Sequence, residues 1–185
     1  QRALRLLADA DAFRSIGFDR REALWEVRRT PDAELPLFAH AKAAELGAEP
    51  DMTLPAMPAV EHVVTDYQTM RLSLKAHPMA LLRPLFRREG VCSAAETSAR
   101  ADGRFTRMAG VVLVRQRPGQ GNAIFITLED ECGMMNIIVR PKVYEKYRIV
   151  LRTSRLLIVE GGVQRKDNVV NILLSRAASV PHTVT

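Results

Sequence analysis

The chain has 185 residues with 27 basic and 21 acidic side chains, a formal net charge of +6, and a pI near 9.8. That length suits one domain or two small ones, and 47% hydrophobic with 26% charged residues excludes wholesale disorder. No apolar run approaches the roughly 18 residues of a membrane span, and no cleavable signal is visible. The opening Gln1-Arg2-Ala3-Leu4 has no initiator Met, so the sequence is expected to be a piece of a longer protein. Cys92 and Cys132 stand 40 residues apart with no CxxC and no paired His. That spacing suits neither a disulfide framework nor a zinc site, and it points to a reducing, cytoplasmic compartment.

The charge is unevenly placed. Residues 1–100 carry 14 basic and 14 acidic side chains, leaving 13 against seven for residues 101–185. A surplus confined to the second half points to a polyanionic partner for that half, nucleic acid being the commonest. An ordinary solubilising surface is the alternative.

Residues 1–30 predict a short helical hairpin. Leu4, Leu7, Ala12, Phe13 and Ile16 share an apolar face, and Arg20 to Val27 forms a second helical stretch. Between them Gly17 supplies a stop and Asp19 an N-cap. Residues 31–60 form a linker, with five prolines between Pro31 and Pro58. Within it Glu34-Leu35-Pro36-Leu37-Phe38 is an apolar cluster suited either to docking in a partner's groove or to lying on a neighbouring domain. Residues 61–102 read as a helical connector, broken at His77-Pro78 and reopened by the capping box Ser93-Ala94-Ala95-Glu96.

After Gly103 the apolar period changes from helical to alternating. Strands are predicted over 104–117, 123–128 and 134–140, a helix over 142–151, and strands over 156–165 and 169–175, the last two joined at Lys166-Asp167-Asn168. Three strands, a helix and two strands in about 75 residues is the element order of an OB-fold barrel. The expected fold is therefore α+β: a helical N-terminal part, then a five-stranded OB-fold β-barrel over 103–178 and a tail over 179–185.

Little in this sequence suggests catalysis. The four histidines are scattered, without a metal-spaced pair or a nucleophile motif. Gly119-Gln120-Gly121 and Gly161-Gly162 lack the Lys-Ser or Lys-Thr of a phosphate-cradling loop. Glu129-Asp130-Glu131 has the residue types for a Mg²⁺ site. Its place between two strands favours a solvated hairpin tip in which Asp130 fixes the turn. No catalytic residue and no metal ligand is assigned.

The strands carry a binding pattern instead. Ile124, Ile126 and Leu128 share one face of their strand, Phe125, Thr127 and Glu129 the other. An aromatic among polar neighbours on a barrel strand is a platform for base stacking. Arg107, Arg115 and Arg117 have one parity, which a bulge near Gly110 would alter, so Arg115 and Arg117 form the firmer pair. With Arg140, Lys142, Arg165 and Lys166 they would neutralise phosphates along a groove over strands two and three. The alternative has Phe125 capping the barrel's open end and the arginines as ordinary surface.

Longer stretches resemble a known family. Ala8-Asp9-Ala10-Asp11-Ala12-Phe13, Gly17 and Arg20-Arg21-Glu22-Ala23-Leu24-Trp25 resemble the end of the tandem helix-hairpin-helix region of bacterial C-family DNA polymerase alpha subunits. Leu54-Pro55-Ala56-Met57-Pro58, Leu74-Lys75-Ala76-His77-Pro78 and Val114-Arg115-Gln116-Arg117-Pro118 are similar to the error-prone, damage-inducible branch of that family, and the likeness covers almost the whole chain.

The resemblance implies the C-terminal part of a polymerase used in translesion synthesis, with the catalytic carboxylates, Mg²⁺ and dNTPs in a part upstream and no cofactor in this segment. It implies single-stranded template DNA as a partner, together with an inactive lesion-polymerase-like adaptor and a RecA-like accessory protein. Leu35, Leu37 and Phe38 look like the anchors of the clamp-binding peptide of the replicative relatives. Glu34 replaces the Gln of that pattern and loses a donor amide, so sliding-clamp binding is expected to be weak or absent. Two functions follow: gripping single-stranded DNA through the barrel, or docking the polymerase to accessory proteins.

Overall fold

The computed structural model describes residues 1–30, 54–119 and 123–180. Leu35, Leu37 and Phe38 lie outside the described residues. The chain forms two compact units, residues 1–76 and 77–185. The division falls inside the stretch read as a connector, so its helices belong to different units.

In the first unit α1 (Arg2–Asp9) leads through a 3-10 turn (Ala12–Ile16) to α2 (Arg20–Arg29), and α3 (Ala59–Thr69) completes it. Gly17 at φ +95° ends the 3-10 turn, a conformation natural to glycine. Asp19 then caps α2 in a box with Glu22, whose carboxylate accepts the Asp19 N–H at 3.0 Å. The apolar core is small: Ala8, Ala23 and Val27, with Phe13 and Leu24 against them.

Ion pairing does more here than the sequence predicts. Val64 of α3 is exposed, as are Met70, Leu72 and Leu74 just beyond it. The helix instead buries His62, Val63 and Asp66. Arg20, 1% exposed, donates to the His62 carbonyl at 3.1 Å and to the Asp66 carboxylate. Asp66 also accepts from Ser73 Oγ at 2.7 Å and Lys75 Nζ at 3.0 Å. Burial pushes its carboxyl up, but the hydrogen bonds from Ser73, Arg20 and Lys75 outweigh that and hold it at about 2.

The second unit is the barrel with α4 (Pro78–Arg88) and α5 (Ala94–Ser98) leading into it. Its strands are β1 (Phe105–Gln116), β2 (Ile124–Asp130), β3 (Gly133–Val139), β4 (Leu156–Lys166) and β5 (Val169–Ser179), with α6 (Pro141–Thr153) between β3 and β4. They close in the order β1-β2-β3-β5-β4, and β3 runs parallel to β5. This is the predicted OB-type element order. Asp167 and Asn168, both at positive φ, make the two-residue β4–β5 turn.

Alternation fills the interior with Met108, Ile126, Leu128, Ile137, Leu157, Val159 and Ile172. Each such side chain is worth about 1.5–3 kcal/mol of burial. α6 packs on this core through Val143, Tyr144, Tyr147 and Leu151. On the outside, Met79 and Phe86 of α4 pack with Val91 against Ala109 and Ile158. His77 opens α4 as its N-cap, Nδ1 accepting the Met79 N–H at 3.1 Å.

Candidate nucleic-acid interface

β2 turns Ile126 and Leu128 into the barrel and Phe125 and Thr127 outward, as its alternation predicts. The ladders place Phe125 between Gln116 of β1 and Ile138 of β3, and Thr127 between Val114 and Asn136. β5 extends the surface with Asn171 beside Asn136 and Leu173 beside Ile138. Thr127 Oγ1 donates to Asn136 Oδ1 at 3.0 Å, which leaves the amide N–H groups of exposed Asn136 for a ligand. The face thus offers one aromatic ring with carboxamides around it. Gln116, Asn136 and Asn171 were not singled out from the sequence. Each shares the outward parity of its strand, but only the register brings them beside Phe125.

The predicted cations separate into groups. The bulge lies between Val112 and Val114, three residues beyond Gly110, and it reverses parity along β1. Arg107 faces outward on the β4 side, with Glu160 at 3.3 Å and the Glu89 carbonyl at 3.0 Å. Arg115 pairs in register with inward-facing Ile126 and donates to the Leu151 carbonyl at 2.6 Å and to that of Ser154. Its guanidinium therefore caps the end of α6, where orphan carbonyls and the negative end of the helix dipole favour a cation. Arg165 is anchored too, its N–H on Asp102 at 2.7 Å and its guanidinium on the Ser98 carbonyl at 2.5 Å.

Arg117, Arg140, Lys142 and Lys166 are exposed and have no partner among the described residues. The first three gather where β1 ends, β2 begins and β3 passes into α6. Arg140 is the N-cap of α6 and Lys142 lies in its first turn, which contains no acidic residue. Cations at the positive end of a helix dipole are unfavourable unless an anion lies between them. Lys166 stands at the β4–β5 turn, beside the start of β3 and so roughly 20 Å from Arg140 along that strand.

With this geometry in view, residues 106–177 match the family of OB-fold nucleic acid binding domains. Over 182 residues the chain is 57% identical to the error-prone DNA polymerase of Rhodopseudomonas palustris, covering 95% of this chain and 15% of that protein. Over 179 residues it is 49% identical to the error-prone DNA polymerase of Brucella abortus, covering 95% of this chain and 17% of that one. The matched part is the C-terminal part of these relatives. Nearly the whole chain is thus similar to the C-terminal region of error-prone DNA polymerases. It spans 15–17% of the length of the curated relatives it matches. Among solved structures, asparaginyl-tRNA synthetase from Pyrococcus horikoshii aligns over 48% of this chain and 22% of its own, with a TM-score of 0.41 and 24% identity.

The acidic triplet is not the solvated hairpin tip expected from the sequence. Asp130 does fix the turn, Oδ1 accepting the Cys132 N–H at 2.8 Å, but it is 3% exposed. Arg83 of α4 reaches over the hairpin and pairs with both Asp130 and Glu131. A guanidinium thus holds the two carboxylates that a Mg²⁺ site would have needed. The arginine was invisible in the sequence because it comes from 47 residues upstream of Asp130. In the first unit Asp11, Asp19 and His62 bring one potential ligand atom each within 4.8 Å of one another. Lys75 Nζ lies 2.8 Å from Asp11 and His62 Nε2 lies 3.1 Å from Asp19, so these acids already have basic partners.

Proposed function

We propose that the barrel grips single-stranded DNA for an error-prone DNA polymerase, the strand crossing the outer face of β2 and β3. The observation that carries this reading is Phe125, an aromatic on an outward barrel face, flanked by Gln116 and Ile138, with Arg117, Arg140 and Lys142 nearby and without partners among the described residues. A base stacked on Phe125 contributes about 1–3 kcal/mol. The three cations meet phosphates at the positive end of α6, and the carboxamides of Asn136 and Asn171 offer hydrogen bonds to bases without demanding one sequence. In the whole polymerase this segment handles template, while Mg²⁺, dNTPs and the catalytic carboxylates belong to a part outside this chain. The compartment is the cytoplasm, in keeping with the two free thiols of Cys92 and Cys132.

Fluorescence anisotropy of labelled oligo-dT with the 185-residue chain tests the proposal. Binding should be weaker for duplex, fall steeply with salt, and weaken about 5- to 150-fold in Phe125→Ala. Salt-independent binding, or an unchanged affinity in Phe125→Ala, rules it out.

A second reading rests on the first unit, which exposes Leu6 at 61%, Ile16 at 67% and Phe18 at 40%. Exposed apolar side chains in a near-neutral region favour protein contact. This surface, with the Leu35–Phe38 cluster, would dock an adaptor, a RecA-like accessory protein or, weakly, the sliding clamp. A pull-down of each with the chain tests it, and loss of capture in Ile16→Glu is the supporting result.

A further inference from the structure

Beyond the Phe125 face, a cleft of about 300 Å³ opens at the end of the barrel beside α6. Its lining includes three cations, Arg115, Arg117 and Arg152, and no acidic residue. Ile124, Ile126, Leu151 and the Tyr144 ring give it apolar surface as well. Arg115 is held in place by the carbonyls of Leu151 and Ser154, and burial pulls its pKa downward, so its charge is only partly solvated. Arg117 and Arg152 have no partner among the described residues. Three guanidiniums around one opening repel one another until an anion enters. Guanidiniums are the side chains that best match phosphate oxygens in pairs.

We propose that this cleft takes one nucleotide of the bound strand, its phosphate between Arg117 and Arg152 and its base against Ile124, Leu151 and the Tyr144 ring. The inference rests on the reading that the barrel binds single-stranded DNA. The cleft volume is at the lower end of the range for small-ligand pockets, roughly 300–1,000 Å³, and suits a single nucleotide unit. Gln116 supplies continuity, because it pairs with Phe125 in the β1–β2 ladder and also lines the cleft. A strand stacked on Phe125 can thus pass over Gln116 and bend into the opening. The same chemistry would attract a free nucleoside phosphate, and the strand-borne nucleotide is preferred because of this junction with the outer face.

Methyl NMR of the 185-residue chain separates these cases. Oligo-dT, dTMP, dTTP and thymidine are titrated while the methyl groups of Ile124, Ile126 and Leu151 and the backbone amide of Thr127 are followed. Oligo-dT should move the three methyls and the Thr127 amide together, dTMP should move the methyls only at higher concentration, and thymidine should move nothing. In Arg117→Glu/Arg152→Glu the methyl shifts should vanish while the Thr127 shift persists, with oligo-dT affinity about tenfold weaker. Both arginines are exposed and have no partner among the described residues, so the variant keeps its fold. If oligo-dT moves Thr127 and leaves the methyls still, the cleft is not a nucleotide site although the barrel binds DNA. If dTMP or dTTP saturates the cleft more tightly than oligo-dT, it serves a free nucleotide and the strand assignment is overturned. If oligo-dT moves nothing, the DNA-binding reading fails and this inference fails with it.

Discussion

Arg83 Nη2 lies 2.9 Å from Asp130 Oδ2, with the two side chains 8% and 0% exposed. The same carboxylate oxygen accepts the Ala94 N–H at 2.7 Å, and Arg83 Nε reaches Glu131 at 2.5 Å. One buried arginine therefore ties α4 to the β2–β3 hairpin, and one buried aspartate ties that hairpin to α5. The Glu131 neighbour raises the Arg83 pKa, and the Glu131 carboxyl is lowered by Arg83 against the upward push of its own burial.

Arg83→Met should cost about 3–5 kcal/mol, because it leaves a buried carboxylate with no cation. Urea unfolding of the barrel followed by circular dichroism measures this. Arg83→Lys should recover only part of the loss, since an ammonium cannot fork between two carboxylates. A change below about 0.5 kcal/mol in Arg83→Met would mean that the pair is incidental to stability.

Two adjacent glycines should respond in opposite ways. A Cβ on Gly161 would lie 2.8 Å from the Leu173 carbonyl carbon and 2.9 Å from Ile172 Cγ2, and closer still to the Leu173 oxygen. This close approach follows from the shift in β4–β5 register between Glu160 and Gly161. A Cβ on Gly162 would meet nothing within 4 Å. Gly161→Ala should therefore destabilise the barrel by about 1–3 kcal/mol or more. Gly162→Ala should be neutral or stabilising by up to about 1 kcal/mol. Equal midpoints for the two variants in the same urea titration would contradict the assignment.

The contrast shows what this sequence makes legible. The barrel could be read because alternation of apolar residues is a local property, written plainly in Ile124-Phe125-Ile126-Thr127-Leu128. The Asp19 and Ser93 caps and the Asp167-Asn168 turn are equally local, and all three form. What could not be read depends on register or on distant partners. Val111-Val112-Leu113-Val114 is a uniform run of strand formers, so nothing in it marks where the bulge falls, and the bulge decides that Arg115 turns toward α6. On α3 apolar Val64 stays exposed while charged Asp66 is buried. Arg20 and Asp66, 46 residues apart, decided which face went inside.

Arg115 and Arg117 should differ in what they control. Arg115 donates to two carbonyls at the end of α6, and its loss leaves those acceptors unsatisfied. Arg115→Ala should lower stability by about 1–3 kcal/mol, whereas Arg117→Ala should stay within about 0.5 kcal/mol of the parent. Amide hydrogen exchange in the last turn of α6 reads the local effect directly. Faster exchange there in Arg117→Ala but not in Arg115→Ala would reverse the assignment.

Asp66 makes the first unit sensitive to acid. Its carboxyl is held at about 2 against an ordinary 3.8 by Ser73, Arg20 and Lys75, despite a burial that works the other way. Because the folded-state value is depressed, the unfolded chain takes up the proton first, and stability falls as pH falls. The contribution is complete above the ordinary carboxylate range and disappears as the pH approaches 2. It amounts to about 2 kcal/mol, from a carboxyl lowered from 3.8 to about 2 on a side chain that is 1% exposed. Trp25, the single tryptophan, lies in α2 and reports on this unit alone. Its fluorescence in urea titrations at pH 6, 4, 3 and 2 should show the midpoint dropping mostly below pH 4. Asp66→Asn cannot titrate there, so it should begin less stable at pH 6 and lose about 2 kcal/mol less on acidification. A parallel decline in parent and variant would assign the acid sensitivity to other carboxylates and remove Asp66 from the account.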